Sequence, residues 1–270
     1  SRYGLVAFGS SLDQIGILAH HPDDCRAFAE VASGFDPRDS TSRHQSSLKD
    51  EVSQRSVDWA KVKVGVVQNA FSHGLQPAVQ EKCESAIGAM TAAGATRVDI
   101  DLDFLEYLVS IYYVIATAEA SANLLRFDGI RYGHRDTSGR NLQELYEGTR
   151  SQFGPEVKRR ILLGTFVLSS GYYDSYYGKA KKAQAYIAKQ FDHAFRDCDV
   201  MVMPTSPTTA FPLGAKTDDP LAMYLSDIFT ILSNLTQTPA VSVPCGFDGD
   251  NLPVGLQLLG PVGGDSQLLS

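Results

Sequence analysis

A strand–helix–strand pattern between residues 62 and 100 constrains the fold of this chain more than any other feature. Residues 62–67 form a mostly apolar, valine-rich run, which is typical of a strand buried on both faces. Residues 77–93 follow with a helical pattern that Gly94 ends. One face of that helix collects four residues at helical spacing, namely Val79, Cys83, Ile87 and Met90. Residues 98–100 resume a strand, so the unit predicts two parallel strands with a right-handed crossover.

The remaining pattern alternates helices with short strands, which indicates an α/β fold. Helices are predicted over residues 22–33, 104–127, 154–198 with a break at Gly171, and 219–235. Asp219 is the expected N-cap of the last helix and Pro220 its first residue. Strands are predicted over residues 199–203, 240–243 and 254–258. Residues 36–58 are polar and predict a long surface connection.

Composition narrows the class of protein. The chain has 270 residues, 43% of them hydrophobic, which is enough to bury a sizeable core. Its formal net charge of −7 makes it a poor candidate for binding nucleic acid with its own surface. No apolar run reaches about 18 residues, and the first residues lack the apolar segment of a signal peptide. We therefore expect no membrane association.

The residues alone reveal no catalytic apparatus. The sequence holds no G-x-S-x-G elbow, no Walker loop and no G-x-G-x-x-G fingerprint. The six histidines lie mostly in polar contexts, and the adjacent pair His20 and His21 lacks carboxylates at ligand spacing. The four cysteines form no C-x-x-C pair, so we expect four reduced thiols and no metal site.

Several long segments nevertheless carry a specific resemblance. Two of the most distinctive are Arg126-Phe127-Asp128-Gly129 and Gly171-Tyr172-Tyr173-Asp174. Others cover residues 1–5, 11–16, 36–41, 112–116, 119–121, 158–166, 204–211, 218–221 and 243–246. Together they resemble the amidase signature family and, within it, the A subunits of glutamyl-tRNA(Gln) amidotransferases. The two distinctive runs favour this tRNA-dependent branch over other amidases.

The resemblance implies a fold, a reaction and a set of partners. It implies one amidase-like α/β domain over residues 1–270, with a mixed sheet flanked by helices and truncated at its N-terminal side. The Ser-Ser-Lys catalytic triad and the oxyanion-hole glycines of the family would lie upstream of Ser1, so no catalytic residue is expected in this chain. The implied reaction is hydrolysis of free glutamine to ammonia. The B and C subunits of the amidotransferase are the implied partners, and tRNA would be held indirectly, through the former.

Further expectations come from the same resemblance. No cofactor is expected in this chain, whereas ATP and Mg²⁺ are expected in the partner that converts Glu-tRNA(Gln) to Gln-tRNA(Gln). The expected compartment is the cytoplasm, with an organellar matrix as an alternative. The family also has a proline near residue 232 and a glycine near 237 or 238, where this chain carries Leu232, Gln237 and Thr238.

The family holds glutamine with a tyrosine, an arginine and an aspartate, which by position correspond to Tyr112, Arg160 and Asp227. The assignment is chemically sound, because a guanidinium grips an α-carboxylate and a carboxylate anchors an α-ammonium. Core packing of Tyr112, a solvated basic cluster around Arg160 and a solvated Asp227 remain the structural alternatives. Asp13 and Gln14 are expected to support the active site, with a simple turn carboxylate as the alternative for Asp13.

Two other functions stay open. The chain alone could be a catalytically inactive piece that binds substrate and docks subunits. It could also belong to a tRNA-independent amidase that acts on small amides. The pair Arg160 and Asp227 argues against the second, because a simple amide has no zwitterionic end to hold.

Overall fold

The computed structural model describes residues 1–42, 44, 57–72 and 74–269, and within them the fold is α/β as expected. Five strands are described: β1 (Lys63–Val67), β2 (Thr96–Ile100), β3 (Val200–Pro204), β4 (Ala240–Phe247) and β5 (Pro253–Leu259). The α-helices of the same residues are α1 (Pro22–Ala32), α2 (Pro77–Ala92), α3 (Leu108–Leu124), α4 (Leu142–Ser151), α5 (Pro155–Leu168), α6 (Lys179–Ala194), α7 (Pro220–Leu225), α8 (Ile231–Thr236) and α9 (Asp265–Leu268).

The five strands form one mixed sheet in the order β2-β1-β3-β5-β4. β1 pairs in parallel with β2 and with β3, whereas β5 runs antiparallel to both β3 and β4. The parallel pair joined by α2 confirms the strand–helix–strand unit of the sequence. The mixed sheet confirms the fold class, and its antiparallel edge comes from the short turn that connects β4 to β5.

A hydrophobic core lies between this sheet and α2. Val79, Cys83 and Ile87 on one face of α2 are buried against Val64 and Val66 of β1. β3 and β5 add Val202, Val254 and Leu256 to the cluster, Ala95 also belongs to it, and Met90 packs at its margin. The predicted apolar face of α2 is therefore confirmed. Because β1 is buried over four of its five residues, the continuous apolar run of the sequence has a direct structural cause.

The described chain divides into two compact units. The first combines residues 1–3, 14–109 and 185–270 and contains the sheet. The second combines residues 4–13 and 110–184 and contains most of α3 together with α4 and α5. In this second unit α3 and α5 approach so closely at Gly164 that an added Cβ would overlap the carbonyl oxygen of Thr117. That the whole chain forms one domain stays a prediction.

Several predicted boundaries differ from those observed. The helix predicted over residues 104–127 is shorter, because a 3₁₀ turn occupies Leu105–Tyr107 and α3 ends at Leu124. The continuous helix predicted over residues 219–235 is wrong, since a turn at residues 226–230 separates α7 from α8. Its predicted start is confirmed, because the Asp219 side chain accepts the N–H of Ala222. Most of the surface connection predicted over residues 36–58 lies outside the described residues.

Gln237 ends α8 in the left-handed conformation, with φ of 57°. This is the position near which the resemblance expects a glycine. The backbone therefore keeps a conformation that favours glycine although the residue has a side chain, at a cost of about 1 kcal/mol. Gln237 thus replaces the expected glycine, and α8 still ends there in the left-handed conformation.

We predict that Gly164→Ala lowers the free energy of unfolding by about 1–3 kcal/mol, because the new methyl group forces α3 and α5 apart. The matched control is Gly88→Ala in α2, where an added Cβ meets nothing within 4 Å. That exposed change should stabilise the protein by up to about 1 kcal/mol through helix propensity. Urea unfolding of the two variants measures both, and equal effects would contradict the close approach.

Candidate functional site

Arg160 is the best-defined polar group among the predicted binding residues. It lies on α5, and its Nε donates to Oε1 of Glu156, one turn earlier, at 2.7 Å. Its side chain is only 20% exposed. Burial by itself lowers the pKa of Arg160, but the hydrogen bond to Glu156 and the neighbouring Tyr113 outweigh it, so the pKa lies above its ordinary value. The guanidinium is therefore a fixed, partly buried cation.

Aromatic rings surround this cation. The Arg160 guanidinium carbon lies 5.2 Å from the ring centre of Phe8 and 5.4 Å from that of Tyr113. Both distances are within the range of cation–π attraction. Tyr112 packs edge-to-face against Tyr113 at 5.2 Å and also contributes to the raised pKa of Arg160. The structure thus brings Tyr112 and Arg160 together within the second unit.

The hydrogen bond to Glu156 determines which edge of the guanidinium suits a ligand. It uses Nε, so the N–H groups on the two terminal nitrogens are those that an anionic ligand would engage. A carboxylate that meets this edge can accept two parallel charge-assisted hydrogen bonds. Chemically, the arrangement suits a small anion that presents a planar group.

Asp13 holds the segment that carries Phe8. Its two carboxylate oxygens accept the backbone N–H groups of Phe8 at 2.9 Å and Gly9 at 3.0 Å. Its own N–H donates to the carbonyl of Gly9 at 2.8 Å. Asp13 therefore closes a tight loop whose first residue places a ring against Arg160. This geometry is what a positioning residue requires, and the assignment of that role to Asp13 stays a prediction.

The same segment is bound to α3 by two further side chains. Glu119 accepts the Ser11 backbone N–H at 2.8 Å and the Ser11 hydroxyl at 2.5 Å. Asn123, one turn later, donates to the carbonyl of Phe8 at 2.9 Å and to the hydroxyl of Ser10 at 2.7 Å. Because residues four apart share one face of a helix, Glu119 and Asn123 act on the segment together.

The other two predicted residues belong to the first unit. Gln14 is exposed. Asp227 is also exposed and lies in the turn between α7 and α8 rather than inside a helix, so its predicted setting in an apolar helix is wrong. Its carbonyl accepts the N–H of Ile231 at 3.1 Å. Tyr112 and Arg160 thus belong to the second unit and Asp227 to the first, and their joint role stays a prediction.

Ser1, upstream of which the catalytic triad is expected, has local contacts in the first unit. It is exposed, and its hydroxyl donates to Oδ2 of Asp36 at 2.8 Å and accepts the backbone N–H of Tyr3 at 3.0 Å. Hydrogen bonds from Arg38 and from Ser1 lower the pKa of Asp36 to about 2. These contacts tie the residue to a surface turn. The position of the triad relative to Ser1 stays a prediction.

A cavity lies beside Asp227 in the first unit. Ser226 and Ile228, the neighbours of Asp227 in the chain, line a cavity of about 560 Å³ together with Phe229. Lys216 also lines it, and its Nζ donates to the Ser226 hydroxyl at 2.7 Å. A volume of this size is in the range of small-molecule sites. The turn that carries Asp227 is thus next to space that a small ligand can occupy.

Sequence reasoning missed Glu156 and Phe8, which contact Arg160, and it missed Glu119 and Asn123, which hold the segment of Phe8. The spacing of Glu156 and Arg160, four apart on a predicted helix, is a readable signal for their ion pair. The other three act on contacts more than 100 residues apart in the chain, which no local pattern encodes. Within the described ranges no three histidine, cysteine or acidic side chains cluster as metal ligands.

The comparisons with known proteins agree with the resemblance. Residues 1–269 match the profile of the Amidase family. The A subunit of glutamyl-tRNA(Gln) amidotransferase from Halothermothrix orenii is 48% identical over all 270 residues, which are 56% of that protein. Its counterpart from Thiobacillus denitrificans is 46% identical, again over the whole chain and 56% of the relative.

Solved structures give the same result. The crystal structure of the A subunit from Thermotoga maritima superimposes with a TM-score of 0.77 at 37% identity, covering all of this chain and 53% of that one. An amidase structure at 19% identity and a TM-score of 0.72 shares the fold alone. The chain belongs to the amidase family, and it spans about half the length of the curated relatives that it matches.

No helix in the described part of the chain is long and apolar enough to cross a membrane.

We predict that Asp13→Ala accelerates hydrogen exchange at the Phe8 and Gly9 amides and lowers the free energy of unfolding by about 1–3 kcal/mol. The physical reason is the loss of two hydrogen bonds to a charged acceptor. Asp101→Ala is the control, because Asp101 is an exposed carboxylate after β2. Unchanged exchange at Phe8 and Gly9 would show that Asp13 does not hold this segment.

Proposed function

We propose that this chain forms the glutamine-binding half of the ammonia-producing subunit of a tRNA-dependent amidotransferase. The observation that carries the proposal is the partly buried Arg160, held by Glu156 and flanked by aromatic rings, in a chain 48% identical to such subunits. A cation fixed in this way is suited to recognising the α-carboxylate of free glutamine. A purely structural surface arginine would keep its hydration, whereas Arg160 has lost most of it.

Each predicted residue has a distinct role in this proposal. Arg160 grips the α-carboxylate through its terminal N–H groups, and the Tyr112 hydroxyl adds a hydrogen bond. Asp227 anchors the α-ammonium, for which an exposed carboxylate beside a cavity is chemically suited. Asp13 positions the loop that carries Phe8, and Gln14 continues that loop. Together the groups would distinguish free glutamine from a simple amide, which has neither charged end.

The remainder of the reaction lies with residues and chains beyond this one. In the proposal a serine nucleophile upstream of Ser1 attacks the side-chain amide, and ammonia leaves for a partner chain. The B and C subunits are the proposed partners, and ATP and Mg²⁺ act where Glu-tRNA(Gln) is activated. The net charge of −7 is consistent with tRNA being held by a partner. The proposed compartment is the cytoplasm or an organellar matrix.

Two alternatives make different demands on the same residues. A catalytically inactive docking piece needs no glutamine pocket, and the sequence upstream in the full-length gene distinguishes it. A Gly-Gly-Ser-rich segment and an upstream lysine support the enzyme, whereas their absence supports the docking role. A tRNA-independent amidase would process small amides without using Arg160 or Asp227, so substrate comparison separates it from the main proposal.

We predict that Arg160→Ala, in the full-length protein, lowers kcat/KM for glutamine by about 30- to 1,000-fold. Losing a bidentate partner leaves the substrate carboxylate unpaired, at a cost of about 2–4 kcal/mol. Amidation with added ammonia should persist, because ammonia bypasses the glutamine site. Steady-state kinetics with the two nitrogen donors measure the difference.

Arg159→Ala is the matched control for this change. Arg159 also contacts Glu156 from the preceding position of α5, but its side chain is 46% exposed against 20% for Arg160. We expect it to leave glutamine use within about twofold, as for an ordinary surface change. If Arg159→Ala were as damaging, or if both donors failed equally with Arg160→Ala, the role of Arg160 would be structural.

We predict that Asp227→Asn impairs glutamine use by about 30- to 150-fold in kcat/KM, equivalent to about 2–3 kcal/mol. The change keeps the size of the side chain but removes the charge that faces the α-ammonium. An amide substrate lacking the α-amino group should be affected far less. Asp218→Asn, at an exposed position nine residues earlier, is the control. Equal effects on both substrates would remove Asp227 from the glutamine pocket.

A further inference from the structure

We propose that Cys83 and Cys245 form a dithiol modification site, in which a hydroperoxide converts the two thiols into a disulfide that links α2 to β4. Their sulfur atoms lie 3.9 Å apart although 162 residues separate them in the chain. All four cysteines belong to the described residues, and each is a free thiol. The site shares no residue with the glutamine pocket proposed above, because the core cluster that holds Cys83 and Cys245 contains none of Tyr112, Arg160 and Asp227.

The fold brings these two sulfurs together through a close approach of α2 to β4. Cys83 lies on the buried face of α2 and has no solvent exposure, whereas Cys245 is half-buried at the margin of the same cluster. Lys82 and Gly246, the chain neighbours of the two cysteines, show the same close approach. A Cβ added to Gly246 would lie 2.9 Å from Cδ of Lys82. The absence of a side chain at Gly246 therefore allows the strand to come this close to the helix.

Cys245 occupies the position in the described ladder where the pairing of β4 with β5 is irregular. Pro244 pairs with Gly255 and Gly246 with Val254, so Cys245 is the extra residue of a β-bulge. A disulfide requires a sulfur–sulfur distance of about 2.05 Å, so the two atoms must approach by about 2 Å. Side-chain rotation together with the backbone freedom of a bulge can supply that movement without breaking regular strand hydrogen bonds.

The chemistry is balanced in two steps. The Cys245 sulfur attacks the terminal oxygen of a hydroperoxide, breaks the O–O bond and becomes a sulfenic acid. The proton of the Cys245 thiol passes to the leaving oxygen, so the hydroperoxide is reduced to an alcohol, or to water for hydrogen peroxide. The Cys83 sulfur then attacks the sulfenic sulfur and forms the S–S bond. The hydroxyl group of the sulfenic acid leaves with the Cys83 proton as water. Overall two thiols lose two electrons to one peroxide.

Burial determines how fast the two thiols react with peroxide. It raises the pKa of Cys83 to about 12, with a further contribution from Cys245, and it also raises the pKa of Cys245. Both groups are therefore protonated at neutral pH and react slowly with peroxide. Cys245 is the sulfur that an oxidant reaches first, because it is the more exposed of the two. The site accordingly responds to sustained oxidation rather than to brief exposure.

The experiment is to treat the purified protein with hydrogen peroxide and to analyse it by intact mass and by non-reducing peptide mapping. We expect a loss of two hydrogens, one crosslinked peptide containing Cys83 and Cys245, and full reversal by a reducing agent. Because the bond closes a long loop, the oxidised protein should also melt at a higher temperature, by on the order of 5 °C.

Two variants test whether Cys83 and Cys245 are the crosslinked pair. In Cys83→Ala, the Cys245 sulfenic acid lacks its partner, so Cys245 should gain oxygen atoms about tenfold faster than in the wild type. Cys198→Ala is the matched control, because Cys198 is also a buried thiol that donates to a backbone carbonyl, that of Ala194, as Cys83 does to that of Gly255. It should leave the crosslink unchanged. Oxygen addition to wild-type Cys245 at the Cys83→Ala rate, or a crosslink through Cys25 or Cys198, would overturn the proposal.

Discussion

Burial of β1 between two parallel neighbours is the constraint on which the first unit depends. β1 pairs on one side with β2 and on the other with β3, and four of its five residues are buried. A strand in this position has its backbone groups in the sheet, and its side chains must be covered on both faces. The apolar face of α2 provides one cover. The antiparallel pair β4 and β5 then extends the sheet at the side of β3 and contributes Val254 and Leu256 to the same core.

The second unit is organised around a charged group rather than an apolar one. Arg160 has lost much of its hydration, and this loss is offset by Glu156 and by the faces of Phe8 and Tyr113. Three further side chains, Glu119, Asn123 and Asp13, in turn fix the backbone that carries Phe8. Such a chain of supporting contacts is expected where a cation must keep one orientation toward a ligand. It also explains why polar side chains of α3 are turned toward residues 8–11 rather than toward solvent.

The parts of this structure that the sequence predicts well are those set by local pattern. The parallel strands around α2 follow from a continuous apolar run, and the start of α7 follows from Asp219 and Pro220. The turn at residues 226–230 escaped prediction because it contains no glycine or proline, and its residues continue an apolar helical pattern. Arg160 and Tyr112 were identified by resemblance. Their neighbours on distant segments were not, because no local pattern encodes such contacts, and the meeting of the two core cysteines escaped prediction for the same reason.

The close approach of α5 to α3 has a consequence for interpreting variants of this protein. Arg160 precedes Gly164 by one helical turn, and Tyr113 precedes Thr117 by one turn on the facing helix. The contact between Gly164 and Thr117 therefore fixes how α5 is placed against α3, and with it the position of the Arg160 guanidinium over the Tyr113 ring. A bulkier residue at position 164 would displace the Arg160 guanidinium relative to the Tyr113 ring, although residue 164 lies one full turn away from Arg160. Natural sequence changes at this helix crossing would thus alter the setting of the Arg160 cation without touching it.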